Sequence, residues 1–185
     1  HIPRTVGVIG GKGQVGRVFA RALRAHGVVV HSADVDATDV VRARAVHSDI
    51  VIVTVPIRVT EQVIADIAPQ MRHGALLVDL TSVKVMPMRV MRRAVASGVG
   101  YMGMHPLFGP STPWAGQNGV VCPGRASHFD AWWHNFLVSS GVRILTMDAD
   151  AHDRHMAVIQ CLTHFSNITL GSALQKLHYD IATAE

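Results

Sequence analysis

Three stretches of this chain carry residues spaced for chemistry on a bound small molecule. The first is a glycine triad, Gly11-x-Gly13-x-x-Gly16, directly after the apolar run Val6-Gly7-Val8-Ile9. A strand that enters such a turn and leaves as a helix can seat a pyrophosphate. One glycine allows the tight turn, the next lets phosphate reach the backbone, and the third lets helix and strand pack closely. The free N–H groups at the helix start then face the phosphates. Gly11, Lys12, Gly13, Gln14, Val15 and Gly16 are therefore the expected phosphate cradle of a nucleotide cofactor. Asp34 lies 21 residues beyond Gly13, close to the roughly 20-residue spacing of an acid that accepts hydrogen bonds from a ribose. A carboxylate there repels a 2′-phosphate, and no Arg or Lys follows before Arg42. Both features favour NAD over NADP.

The second stretch is Gly103-Met104-His105-Pro106-Leu107-Phe108-Gly109-Pro110. A neutral imidazole at His105 can take a proton from a substrate hydroxyl while hydride leaves the same carbon. The plainer reading is a turn histidine satisfied by the backbone. The third is Leu80-Thr81-Ser82-Val83-Lys84. Ser82 reads either as a helix cap or as a hydroxyl that bonds the substrate or orients His105. Lys84 reads either as a solvated charge or as an anion contact.

These groups need a scaffold, and strand and helix signals alternate almost to the end of the chain. An amphipathic helix is expected over 14–26, with Val15, Val18, Phe19, Ala22 and Leu23 on one face. A strand follows from Val28 to Asp34. The run 49–55, closed by Pro56, is continuously apolar between Asp49 and Thr54, as in a parallel strand buried on both faces. A helix over 59–71, a strand over 75–79, a helix from Pro87 to Ala96 and a strand over 99–104 come next. A Gly/Pro-rich loop spans 105–118, followed by a strand over 119–122, a helix over 127–140 and a strand over 142–146. Parallel strands joined by helices make a doubly wound, Rossmann-type α/β sheet, whose ligands bind at the carboxyl ends of the strands. That rule adds Val55 and Pro56 to the cofactor contacts, and Ser111 and Thr112, in the segment after His105, to the substrate contacts.

From Asp150, read as an N-cap, the pattern becomes one long helix to His178, apolar on several sides. Such a helix needs partners on more than one face. The expected organisation is a dinucleotide-binding domain over 1–149, with 150–185 opening a helical substrate and dimerisation domain that this chain does not complete. His152, His155 and His164 lie on this helix. His152 and His155 share a face by spacing, but no third ligand is suitably spaced, so no metal is expected. Polar contacts at the domain junction are the preferred reading of that pair. His164 sits in a polar stripe with Thr163, Ser166 and Asn167, which suits either a satisfied core site or a substrate wall.

Composition bounds these readings. At 185 residues, with 49% hydrophobic and 16% charged residues, the chain has a folded domain's balance. No apolar run approaches the roughly 20 residues of a membrane span. The formal charge of +4 comes from scattered arginines, which argues against nucleic acid as a partner and suits an anionic small molecule. Cys122 and Cys161 stand far apart, as expected in a reducing cytoplasm.

Taken together, Val8–Gly16, Val53-Thr54-Val55-Pro56-Ile57, Val78–Lys84, Gly103–Pro110 and His152-Asp153-Arg154-His155-Met156 resemble prephenate dehydrogenases, most of all the type fused to chorismate mutase in enteric bacteria. The resemblance implies NAD-dependent oxidative decarboxylation of a prephenate-type cyclohexadiene, and a homodimer formed through the helical domain. His105 matches the family's catalytic histidine and Ser82 the serine that assists at the substrate hydroxyl. His164 matches a histidine near the substrate. Ser111 stands where family members commonly carry an acidic residue. A cousin within the family acts on 4-amino-4-deoxyprephenate, so the ring substituent is a hydroxyl or an amine.

Overall fold

The computed structural model describes residues 1–176. Its centre is a seven-stranded sheet made of β1 (Thr5–Ile9), β2 (Val29–Ala33), β3 (Ile50–Val53), β4 (Leu76–Asp79), β5 (Gly100–Pro106), β6 (Asn118–Pro123) and β7 (Arg143–Thr146). The spatial order is β2-β1-β3-β4-β5-β6-β7. Six helices accompany it: α1 (Gln14–Ala25), α2 (Asp39–Val46), α3 (Ile57–Ile67), α4 (Val85–Ala94), α5 (Asp130–Ser139) and α6 (Ala149–Lys176). The doubly wound Rossmann-type sheet expected from the sequence is present. Chain order reverses between β1 and β3, and this switch point is where such sheets open a crevice.

The core lies on both sheet faces because the central strands carry apolar residues on both. Ile50, Val51, Ile52 and Val53 are all fully buried, as are Leu76, Leu77 and Val78. On one face Val6, Val8, Ile50 and Ile52 pack with Phe19, Leu23 and Trp133 from α1 and α5. On the other, Val51, Val53 and Leu77 pack with Ile64, Ile67 and Met91 from α3 and α4.

The structure corrects several expectations. β6 runs antiparallel to β5, pairing His105 with Val120, and β7 is parallel to β6. No crossover helix separates β5 from β6, and a parallel partner would need one. The antiparallel pairing also carries β5 through His105 and Pro106, so His105 sits in a strand and not in the loop. Helix α2 was not expected, since it buries only Ala45 and Val46. Helix α3 starts at Ile57 and yields to a 3₁₀ turn at Ala68–Gln70, where Pro69 offers no N–H for a regular helical bond. Asp148, not Asp150, caps α6: its Oδ1 accepts from the Ala151 amide at 2.7 Å. His178, the expected end of that helix, lies outside the described residues.

Helix α6 is about 42 Å long at 1.5 Å per residue. It buries only His152 and Met156. Beyond them Val158, Leu162, Phe165, Ile168 and Leu170 are each more than half exposed.

Candidate active site

The glycine turn is built around a single left-handed residue. Gly10 has φ +89°, a conformation that L side chains resist. Its N–H donates to the Ala33 carbonyl at 2.9 Å, and the Thr54 hydroxyl lies 3.0 Å from both the Ile9 and Gly10 carbonyls. The tight-turn role assigned to Gly11 therefore belongs to Gly10. Gly11 is required for space, because a Cβ there would meet the Ser32 Cβ at 2.7 Å. A Cβ on Gly16 would come within 2.4 Å of the Gly10 carbonyl oxygen and 2.8 Å of the Thr54 Oγ1, so any side chain would push α1 off the turn. Gly13 is exposed, and helix α1 begins with no side-chain cap and no acid in its first turn. Its first amides, those of Gln14, Val15 and Gly16, lack intrahelical acceptors and are donors to an anion.

The turn divides a crevice into two cavities. One, of about 390 Å³, is bounded by Gly10, Gly13, Asp34, Arg42 and Gln62. The other, of about 280 Å³, is bounded by Val15, Leu80, Ser82, His105, Phe108 and Pro110. Val55 and Pro56 line both, so one elongated ligand can cross from one to the other over the turn. In the first cavity the Lys12 amide donates to Asp34 Oδ2 at 2.7 Å, which fixes the carboxylate at the end of β2. The Lys12 ammonium pairs with Asp36 on the surface. Arg42, eight positions beyond Asp34 in the chain, reaches the same cavity because α2 folds it back.

In the second cavity His105 is nearly buried, with 6% exposure. Its Nδ1 lies 2.9 Å from His152 Nε2, and His152 Nδ1 lies 2.7 Å from Asp153 Oδ1. The Asp153 carboxylate also accepts from the Lys84 amide at 2.8 Å and the Val85 amide at 2.9 Å, capping α4 from near the start of α6. Burial opposes ionisation of Asp153, but these amides and His152 outweigh it and hold the carboxyl below its ordinary range. Burial, the neighbouring His152 and the Lys84 ammonium together push the His105 imidazolium down to about 4. His105 is therefore a neutral base at neutral pH.

Lys84 is neither a solvated charge nor an anion contact. It is fully buried and ion-paired with Asp79, and its ammonium also donates to the Met104 carbonyl at 3.1 Å. It thus ties the ends of β4 and β5, which present Ser82 and His105. Gly103, opposite Asp79 in the sheet, leaves room for it: a Cβ there would meet the Lys84 Cδ at 2.7 Å. Asp79 accepts from the Thr81 amide and hydroxyl at 3.0 and 2.8 Å, which shapes the turn carrying Ser82. With Asp153 capping α4, Ser82 is not a cap, and it lines the cavity.

The structure therefore brings together Val15, Val55, Pro56, Ser82 and His105. It does not bring in Ser111 or Thr112, which follow Pro110 on an exposed loop outside the cavity lining. Nor does it bring in His164, which is exposed on α6. His152 and His155 part company, the first fully buried and the second exposed. The contact of His152 with His105 was missed in the sequence. The one available signal was a His-Asp pair near the start of a helix that must dock beside the site.

The chain matches the family described as the nucleotide-binding domain of prephenate dehydrogenase over residues 19–121. It is 38% identical over 96% of its length to a probable arogenate/prephenate dehydrogenase of Methanocaldococcus jannaschii, covering 44% of that protein. It is 32% identical over 94% of its length to the 4-amino-4-deoxyprephenate dehydrogenase of Streptomyces pristinaespiralis, covering 64% of that protein. The chain thus spans about half the length of the curated relatives it matches. Its fold is that of a prephenate dehydrogenase from Aquifex aeolicus solved with hydroxyphenyl propionate and NAD+, with TM-score 0.72, 18% identity, and coverage of 94% of this chain and 70% of that one. On these grounds, and on the crevice they accompany, the chain belongs to the prephenate dehydrogenase family through its nucleotide-binding domain.

Proposed function

We propose that the protein carrying this chain catalyses NAD-dependent oxidative decarboxylation of a prephenate-type cyclohexadiene. The observation that carries the proposal is a neutral, nearly buried His105 in the cavity that opens from the glycine turn. The residues present suit a dinucleotide. Free α1 amides and an exposed Gly13 would hold its pyrophosphate, and Asp34, with Oδ2 already fixed by Lys12, would hold the adenosine ribose. Val15, Val55 and Pro56 would guide it across the turn. Bound NAD supplies the hydride acceptor.

In this reading the substrate ring lies beside Ser82 and His105. His105 takes the proton from the hydroxyl or amine at the carbon that gives up hydride, and Ser82 orients that group. Carbon dioxide leaves from the opposite ring carbon as the ring becomes aromatic. Aromatisation supplies the driving force, so the protein's task is orientation and removal of one proton. The similarity to relatives named for both ring types supports testing both. The exposed apolar residues of α6 support a helical second domain starting at 150, and a homodimer formed through it. Ser111, Thr112 and His164 belong to the proposed substrate site only if such an assembly folds over the cavity.

The test mixes the full-length protein with NAD and prephenate, then with its 4-amino analogue, and follows absorbance of the reduced cofactor. Reduction with one ring identifies the substrate. Silence with both removes the reading.

A further inference from the structure

We propose that His152 and Asp153 are positioning residues that hold His105 as its Nδ1–H tautomer, leaving the lone pair on Nε2 to face the cavity. The use of that lone pair in proton removal rests on the function proposed above; the tautomer does not.

The assignment follows from donor and acceptor counting along three contacts. An ionised carboxylate only accepts, so at 2.7 Å from Asp153 Oδ1 the Nδ1 of His152 carries a proton. A neutral His152 then has a bare Nε2. His105 Nδ1, 2.9 Å from that atom, must be the donor. Nε2 of His105 has no hydrogen-bond partner among the described residues and belongs to a ring lining the cavity with Ser82. The order base, second imidazole, carboxylate is the logic of an oriented general base. When His105 takes a proton, its Nδ1–H still points at His152, and the new charge faces a chain ending in a carboxylate. The other charged groups around the ring are Lys84, whose ammonium opposes that charge, and Asp79, which neutralises Lys84.

The geometry also joins two parts of the chain. His105 lies near the end of a sheet strand, whereas His152 and Asp153 lie near the start of α6, and Asp153 is anchored by two amides at the start of α4. His105 is set only while α6 is docked in this register. Motion of the helix carrying the rest of the chain is thereby coupled to the base.

The direct test is ring-nitrogen NMR of the full-length protein with isotope-labelled histidine, His105 being identified from the spectrum of His105→Asn. The expected result is a proton on Nδ1 of His105 in the wild type. A proton on Nε2 overturns the proposal, and this measurement needs no substrate. The kinetic test compares His152→Leu, which removes the acceptor, with His152→Gln, whose amide oxygen can still accept from His105. Loss of an orienting group predicts a fall in kcat of about 10²- to 10⁴-fold for His152→Leu, with KM changed less than about threefold, and recovery of at least about tenfold in His152→Gln. A His152→Leu enzyme with near wild-type kcat, or equal losses in both variants, overturns it. If His152→Leu does not fold, the wild-type tautomer and His152→Gln decide. A wild type that reduces NAD with neither ring refutes the proposed function and leaves the tautomer result standing.

Discussion

Replacing Lys84 by methionine removes a buried charge while keeping most of the side-chain volume. Asp79 is then left fully buried, with only the Thr81 amide and hydroxyl as donors. Breaking one side of a buried ion pair costs about 3–5 kcal/mol, a large share of the roughly 5–15 kcal/mol that holds a domain together. For a chain of this size about 1 kcal/mol moves Tm by some 2–4 °C, so Lys84→Met should melt about 6–20 °C below wild type. Asp79→Asn should lose less, because the amide oxygen still accepts from Thr81 and burial already pushes the Lys84 ammonium down, so it can shed its proton. The double variant has neither charge stranded. It should therefore be more stable than the sum of the single losses implies, by about 2–3 kcal/mol, at the upper end for contacting residues. Urea and thermal unfolding of the four proteins measure this directly. If the single effects add to within about 0.5 kcal/mol, as for independent sites, the pair does not couple the ends of β4 and β5 and the reasoning fails.

Four further outcomes are expected. His105→Asn should lower kcat by about 10²- to 10⁴-fold, the usual weight of a general base, while NAD affinity, read by cofactor fluorescence, stays within about twofold; lost NAD binding would assign His105 to the cofactor site. Because burial, His152 and Lys84 place the His105 imidazolium at about 4 instead of 6.5, the neutral, active form persists well below pH 6.5. The acid limb of kcat/KM should fall near pH 4, and an acid limb at pH 6 or above in a rate profile would contradict the buried neutral base. Across the same window the unfolded chain binds a proton that the folded one does not, so this residue makes stability fall as pH drops from 6.5 to about 4. Gly16→Ala should weaken NAD binding by at least about tenfold and lower Tm, since its Cβ would lie 2.4 Å from the Gly10 carbonyl oxygen in a turn whose geometry seats the phosphates; calorimetric titration checks it.

The sequence alone determined much of what rests on local pattern. Short, mainly apolar runs separated by amphipathic segments specify an α/β sheet, because burial on both faces favours apolar side chains at nearly every position. The spacing of Gly11, Gly13 and Gly16 marked the turn, since a missing Cβ is a property of the residue itself. Rules for strand ends pointed to Val55, Ser82 and His105, and the structure brings these to one cavity.

What tertiary structure decided were contacts between residues far apart in the chain. Which glycine takes positive φ depends on Thr54 and Ala33 closing over the turn. β6 reversed direction because nothing between it and β5 forms a crossover. Arg42 joined Asp34 because α2 folds it back, and Lys84 became a structural ion because Asp79 and Met104 enclose it. The partner of His105 lies 47 residues away on a helix whose own periodicity says nothing about the strand end it meets. Hydrogen bonds set donor, acceptor and tautomer only when two groups come within about 3 Å, and chain spacing does not encode that distance.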